Sequence, residues 1–237
     1  MSKHLHPVDH SFSARSHVAV TADWEDKAAI RSLVRLMQKM LSPDLLTGPY
    51  ARKNAEMIAL NPTMGHCSAA SEAIWHILGG NASPYRDHWA YDTPAARRRQ
   101  QRGEKRAAHD ETHHWLQIPG SNPSKRGTVI DATAAQYRRI KLPNGKTTSR
   151  EIPHAYGTAA GFMTRYPSAR AQCLIDRLAN HLRRSPIKGL TVKPALIRST
   201  DAAPNLPFRA SHYSKQPDFY QAALTPKKRT PKPSRAI

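Results

Sequence analysis

One short apolar segment with a stop at each end governs what this chain can fold into. Asn61-Pro62 closes the chain upstream of it, because the residue before a proline is pushed out of the helical region. Gly79-Gly80 is the stop at its C-terminal end. Between them Ala70, Ala73, Ile74, Ile77 and Leu78 recur at the three-and-four spacing of one helix face. The spacing predicts a central helix over Ser68–Leu78, with Cys67 at or just inside its N-terminus after Gly65-His66.

Other elements arrange themselves around that helix. Trp24 to Leu41 reads as an amphipathic helix with Ile30, Leu33, Val34, Met37 and Leu41 on its buried stripe. Asp23 is the expected cap, with Glu25 and Asp26 favoured by the helix dipole. A further helix is expected from Tyr50 to Leu60, and one opened by Pro167-Ser168 runs through Arg184 with Ala171, Leu174, Ile175, Leu178 and Leu182 buried. Two runs read as strands: His114 to Ile118 alternates, and Thr128 to Thr133 begins β-branched. The Ser, Asn, Pro and Gly of residues 119–127 make the intervening link a hairpin loop, and Leu142 to Lys146 is another turn. No internal repeat is present.

Composition sets the outer limits. At 237 residues with 39% hydrophobic content, one domain with a real core fits the chain, but 19 prolines and 7% aromatics point to extended connections and loose ends. The expected division is a flexible arm over 1–22, a folded domain over 23–185, and an irregular extension over 186–237 with a basic, disordered tail. Two cysteines, Cys67 and Cys173, are too few for a disulfide scaffold, and no apolar leader or membrane-length run is present. The expectation is a cytoplasmic protein with free thiols.

The net charge of +20, from 37 Lys and Arg against 17 Asp and Glu, favours contact with polyanions. Arg97, Arg98, Arg99, Arg102, Lys105 and Arg106 form the densest group, read as a solvated loop or exposed helix. With the tail it is the candidate for non-specific nucleic-acid contact. No zinc-finger, leucine-zipper or aromatic RNA-binding pattern accompanies the charge.

Chemistry centres on Cys67. A thiol attacks only as thiolate, which a helix N-terminus and a nearby imidazolium both stabilise. A histidine on a strand, oriented by a carboxylate on the neighbouring strand, supplies the second condition. His114 and Asp131 fill those places in the order helix, strand, strand. His113 competes with His114, and consecutive strand residues point to opposite faces. Taken singly each signal is ordinary: a cysteine in an Ala-rich helix is more often packing, His114 is one of 13 histidines, and Asp131 could merely cap a turn. His109, Asp110, His113 and His114 cluster, but without a second ligand pair, so neither metal nor cofactor is expected.

In this context Gly65-His66-Cys67-Ser68-Ala69-Ala70 with Gly79-Gly80, His114-Trp115, and Asp131-Ala132-Thr133-Ala134-Ala135-Gln136-Tyr137 resemble the motifs of small bacterial and phage proteins of the YunG type. The likeness covers about residues 60 to 140, with a weaker echo in Gly161-Phe162 and Pro167-Ser168-x-Arg170-Ala171. It implies a papain-like, transglutaminase-like α+β fold: N-terminal helices, a central Cys-bearing helix and a small antiparallel sheet. It also implies a Cys67, His114, Asp131 triad and prefers His114 because Trp115 follows it. His66 stands where that pattern has glutamine. Asn61 and the Cys67 backbone N–H are candidate oxyanion donors, and Gln136 a supporting side chain. The expected activity is thiol-dependent hydrolysis or acyl transfer on a peptide or protein substrate, away from any membrane. The rival is a basic nucleic-acid- or host-protein-binding protein on the same fold with the chemistry lost.

Overall fold

The computed structural model describes residues 18–46, 48–104, 111–137, 140–141, 145, 147–148, 151–161, 163–164 and 166–194. The described part combines helices with small antiparallel sheets, an α+β arrangement. No described helix is long and apolar enough to cross a membrane.

Helix α1 spans Lys27–Met40 and buries Ala29, Leu33, Leu36 and Met37; Ile30 and Val34, on the expected stripe, are half-buried at its edge. Asp26, not Asp23, is its cap: the Asp26 carboxylate accepts the N–H groups of Ala28 and Ala29 at 2.8 and 3.0 Å. Asp23 instead turns the chain just upstream by accepting the Glu25 N–H at 2.8 Å. The helix expected over Tyr50–Leu60 is two short ones, α2 (Gly48–Lys53) and α3 (Ala55–Leu60). They are separated at Asn54, whose side chain donates back to the Tyr50 carbonyl. The break is in the backbone dihedrals of Asn54 (φ −114°, ψ 18°), while its N–H still reaches the Tyr50 carbonyl at 3.1 Å.

Helix α4, Cys67–Ile77, is the centre of the packing. It is buried almost all round and touches α1, strand β3 (Thr112–Gln117) and the C-terminal helix α6 (Ala169–Arg184). Leu33, Met37, Ile74, Ile77, Leu116, Leu174 and Leu178 are all under 2% exposed. Each such fully buried large apolar side chain contributes about 1.5 to 3 kcal/mol. A polar latch adds direction to this packing. Glu72, buried on α4, accepts the Ser168 N–H at 2.8 Å through one carboxylate oxygen and the Ser168 hydroxyl at 2.6 Å through the other. Ser168 also caps α6 through the Ala171 N–H, so the register of α6 against α4 is fixed at its first turn.

Strand β1 (Val18–Ala22) pairs antiparallel with β8 (Leu190–Pro194) in a two-stranded sheet. Val20 and Leu190 join the main core, so the folded body takes in residues that composition assigns to the arm and the extension. A second sheet has the order β4-β3-β2-β7, with β2 at Arg86–Tyr91, β4 at Val129–Ile130 and β7 at Thr158–Ala159, every pairing antiparallel. The β3–β4 hairpin forms where expected, and the Ile118 N–H closes it on the Thr128 carbonyl at 3.0 Å. Strand β5 (Ile140–Lys141) pairs with β6 (Thr147–Thr148); of the expected turn Leu142 to Lys146, only Gly145 is among the described residues.

The basic segment takes the helical alternative as α5, Pro94–Gln101, with Ala96 and Arg97 buried. Its Thr93 cap accepts the Ala96 N–H. Lys105, Arg106 and the basic tail lie outside the described residues.

Candidate active site

Register decides which side chains meet. Ala90 stands opposite His113, Trp89 opposite His114, and Leu116 opposite Ile130. Opposed residues in an antiparallel pair share a face, and neighbours along a strand alternate. Leu116 and Ile130 both enter the main core, so His114 shares their face while His113, Trp115 and Gln117 take the other. Asp131, one residue beyond Ile130, falls on the His113 face.

The consequence is a correction to the expected triad. Asp131 Oδ2 accepts a hydrogen bond from His113 Nε2 at 2.7 Å. His114 is engaged elsewhere, with Nδ1 3.1 Å from the carboxylate of Asp87, a buried residue of β2. His114 is held between the sheet and α4, where the Ser71 hydroxyl also donates to its backbone carbonyl. Cys67 reaches the site from the first turn of α4. Its Sγ lies 3.6 Å from the Thr112 carbonyl, and the sulfur is near enough to the His113 ring to help hold its proton.

Burial alone would push the His113 imidazole down. The adjoining Asp131 carboxylate and the Cys67 sulfur outweigh that and hold it up, at about 10. Asp131 is held well below the usual carboxylate range despite its burial, by His113 first and then by His154. The carboxylate is fully subscribed: Oδ1 accepts the Thr133 N–H and hydroxyl at 2.8 and 3.0 Å, and Oδ2 accepts His113 and His154, the latter at 2.9 Å. His113 is entirely buried, stacked against Trp115 at 5.7 Å between centroids and edge-on to Tyr137 at 4.9 Å. Tyr137 is fixed by its hydroxyl on Asp92 at 2.7 Å, and burial beside that carboxylate drives its phenol far up. Trp115 and Tyr137 thus serve as walls of the imidazole slot.

His154 is the member that sequence reasoning missed. It sits in the helical turn Pro153–Tyr156, packed against Trp115 and partly open to solvent. Gly157, just after that turn, lies so close to the indole of Trp115 that an added Cβ would overlap it, with one ring carbon at 3.0 Å and another nearer. Only glycine lets the turn come down far enough for His154 to reach Asp131.

The supporting residues divide. Gln136 lies against His113: its amide contacts Nδ1, the ring nitrogen that Asp131 leaves free. A neutral His113 accepts there from the Gln136 NH2 group, whereas an imidazolium donates to the Gln136 oxygen, so the amide orientation follows the charge of the ring. Asn61 is used for architecture. Its Nδ2 donates to the Ala135 carbonyl at 3.0 Å and its Oδ1 accepts the Thr63 N–H and hydroxyl, which ties the loop before Cys67 to the strand-exit turn carrying Gln136. That loop turns through Gly65 at φ +79°, where a Cβ would strike the Tyr50 ring. His66 occupies the cap position of α4 without capping it and is fully buried.

The basic group also divides. Arg97 is 6% exposed: it donates to the Tyr91 carbonyl at 3.1 Å, pairs with Glu151 at 3.4 Å and covers the Tyr156 ring at 4.3 Å. It braces α5 against the turn that carries His154 and is not available to a phosphate. Arg102 pairs locally with Glu104, and Arg98 and Arg99 share the last turn of α5.

Comparison with protein-family models, curated proteins and solved structures gives no match to this chain.

Proposed function

We propose that the protein is a thiol-dependent acyl-transfer enzyme, of the peptidase or amidase kind, acting through Cys67, His113 and Asp131 on a papain-like plan. The observation that carries this reading is a buried imidazole bonded to a carboxylate whose four acceptor positions are filled and lying beside a cysteine at a helix N-terminus. A structural histidine needs only one partner; this one is gripped on both ring nitrogens and on both faces.

The chemistry follows from the proton positions. With the proton of the pair already on His113, Sγ attacks as thiolate the carbonyl carbon of an amide. The negative oxygen that forms lies near the first turn of α4, where the Cys67 backbone N–H, outside the helical ladder, is the leading donor. His113 then protonates the departing amine as the carbon–nitrogen bond breaks, leaving a thioester. Water, deprotonated by the now neutral His113, attacks the thioester, releases the acid and returns the proton through His113 to sulfur. Asp131 stays ionised throughout and fixes the ring.

Cys173 provides an internal control, because it is half-buried on α6 and burial pushes its thiol up. Treatment with iodoacetamide near neutral pH, read by peptide mass spectrometry, is expected to label Cys67 at least ~10-fold faster than Cys173. Equal, slow labelling of both thiols overturns the reading. Burial of Arg97 weakens the nucleic-acid alternative, because it withdraws one of the arginines on which that alternative depends.

A further inference from the structure

We infer that His113, Asp131 and His154 form a binding site for a divalent transition ion of the zinc class, and that occupancy switches the thiol centre off. His113 Nε2, Asp131 Oδ2 and His154 Nε2 lie within 4.8 Å of one another. Two imidazole nitrogens of the same kind converge on a single carboxylate oxygen, at 2.7 and 2.9 Å. Zinc bonds of about 2.0–2.2 Å place tetrahedral ligand atoms roughly 3.3 Å apart, so each ring has to withdraw by only about half an ångström. Two histidines and one carboxylate are a three-ligand set with a fourth position left over. Magnesium and calcium prefer oxygen donors throughout and are disfavoured here.

The surroundings suit a metal as well as they suit the triad. A ligating histidine commonly donates its second N–H to a neighbour, and His113 has Nδ1 against the Gln136 amide. The remaining oxygen of Asp131 is held by the Thr133 N–H and hydroxyl, which fixes the direction of its partner. Entry is from the His154 side, where that side chain is 19% exposed, while His113 and Asp131 are almost fully covered.

Binding forms three metal–ligand bonds and releases the Nε2 proton of each histidine to solvent; no electron is transferred. The inhibitory part rests on the thiol reading. With Nε2 committed to the ion, His113 keeps its proton on Nδ1 and loses the Asp131 carboxylate as its direct counter-ion. It can then no longer accept a proton from Cys67 and return it.

The test uses the full chain, freed of metal by chelation and dialysis, with Co2+ as the optical probe and Zn2+ as the competing ion. The expected result is one tight equivalent of Co2+ with visible tetrahedral bands, displaced by Zn2+, retained in Cys67→Ser, and weakened at least ~10-fold in His154→Gln. Glutamine keeps a donor for Asp131 but is a poor ligand, and His154→Ala with a circular-dichroism check is the second variant. Zn2+ is expected to slow Cys67 alkylation in the unmodified chain and to leave the rate of His154→Gln at its own metal-free value. Bands unchanged in both His154 variants, or lost in Cys67→Ser and kept in His154→Gln, overturn the site. Slow Cys67 alkylation without metal, with the bands present, overturns only the thiol reading.

Discussion

His66 carries much of the acid sensitivity of the site's loop, and its replacement gives a number that can be checked. It is fully buried, with no hydrogen-bond partner on either ring nitrogen among the described residues. The charges facing it are Arg170, whose guanidinium also donates to the Gly65 carbonyl, and Asp44 and Arg177. Burial first, and Arg170 second, push its imidazole down from 6.5 to about 4. A histidine whose folded value lies below its unfolded one takes up its proton more readily when unfolded. The native state therefore loses stability as pH falls from about 6.5 towards 4, and is unaffected above that window. The gap corresponds to about 3 kcal/mol in full, most of it lost between about pH 7.5 and roughly pH 4.5. In His66→Leu this contribution vanishes. At about pH 7.5 the variant is expected to be as stable as the parent or up to ~1 kcal/mol more so, because an unpartnered polar ring has been replaced by an apolar group of similar size. Urea unfolding followed by tryptophan fluorescence at both pH values measures the two differences. His76 on α4, also held at about 4 by burial, continues to destabilise both proteins in acid, so the variant keeps part of the acid sensitivity. A drop on acidification equal in parent and variant would refute the claim that His66 is buried in its neutral form.

Other consequences concern the framework. Glu72→Ala removes the acceptor for both the Ser168 N–H and its hydroxyl, and is expected to lower stability by about 2–3 kcal/mol in the same unfolding assay; a loss below ~0.5 kcal/mol would mean the α4–α6 latch is ornamental. Gly65→Ala forces a side chain into a left-handed backbone and against Tyr50, and should cost about 1–3 kcal/mol and slow Cys67 alkylation; an unchanged melting temperature contradicts the tight loop. Arg97→Ala is expected to cost about 2–4 kcal/mol of stability, through the stranded carbonyls of Tyr91 and Asp92 and the lost cover over the Tyr156 ring. Nucleic-acid retention should change no more than for Arg98→Ala; the reverse ranking on a salt-eluted nucleic-acid column restores Arg97 as a phosphate contact.

Helices α1, α4 and α6 were legible because each has a periodic apolar face and a chemical stop. Ser168 at the start of α6 and Gly79 after α4 fall where the sequence places them. Strand β2 was not legible: Arg86-Asp87-His88-Trp89-Ala90-Tyr91 has no apolar–polar alternation, because both its faces are covered, one holding Asp87 on His114 and the other His88 on Trp115. Without β2 the central place of β3 in its sheet could not be seen. The choice between His113 and His114 was within reach. Leu116 and Ile130 are apolar residues of their strands that both enter the core, and placing them there puts Asp131 on the face of His113 by parity alone. The His-Trp resemblance pointed the other way. His154 carries no local signal, since what brings it to Asp131 is the close approach of Gly157 to Trp115, a contact between residues far apart in the chain. Arg97 looked like its neighbours because sequence shows charge and not which turn of α5 faces inward.

The most direct measurement compares Cys67 alkylation rates in His113→Ala and His114→Ala across about pH 6 to 9, each normalised to Cys173 in the same sample. Pairing of Cys67 with His113 requires His113→Ala to abolish the excess reactivity near neutral pH, leaving Cys67 to react as an ordinary thiol whose rate climbs with pH. His114→Ala should keep the excess while losing stability through the stranded Asp87 carboxylate. Loss of the excess in His114→Ala, with His113→Ala retaining it, would contradict the assignment of His113 as the base.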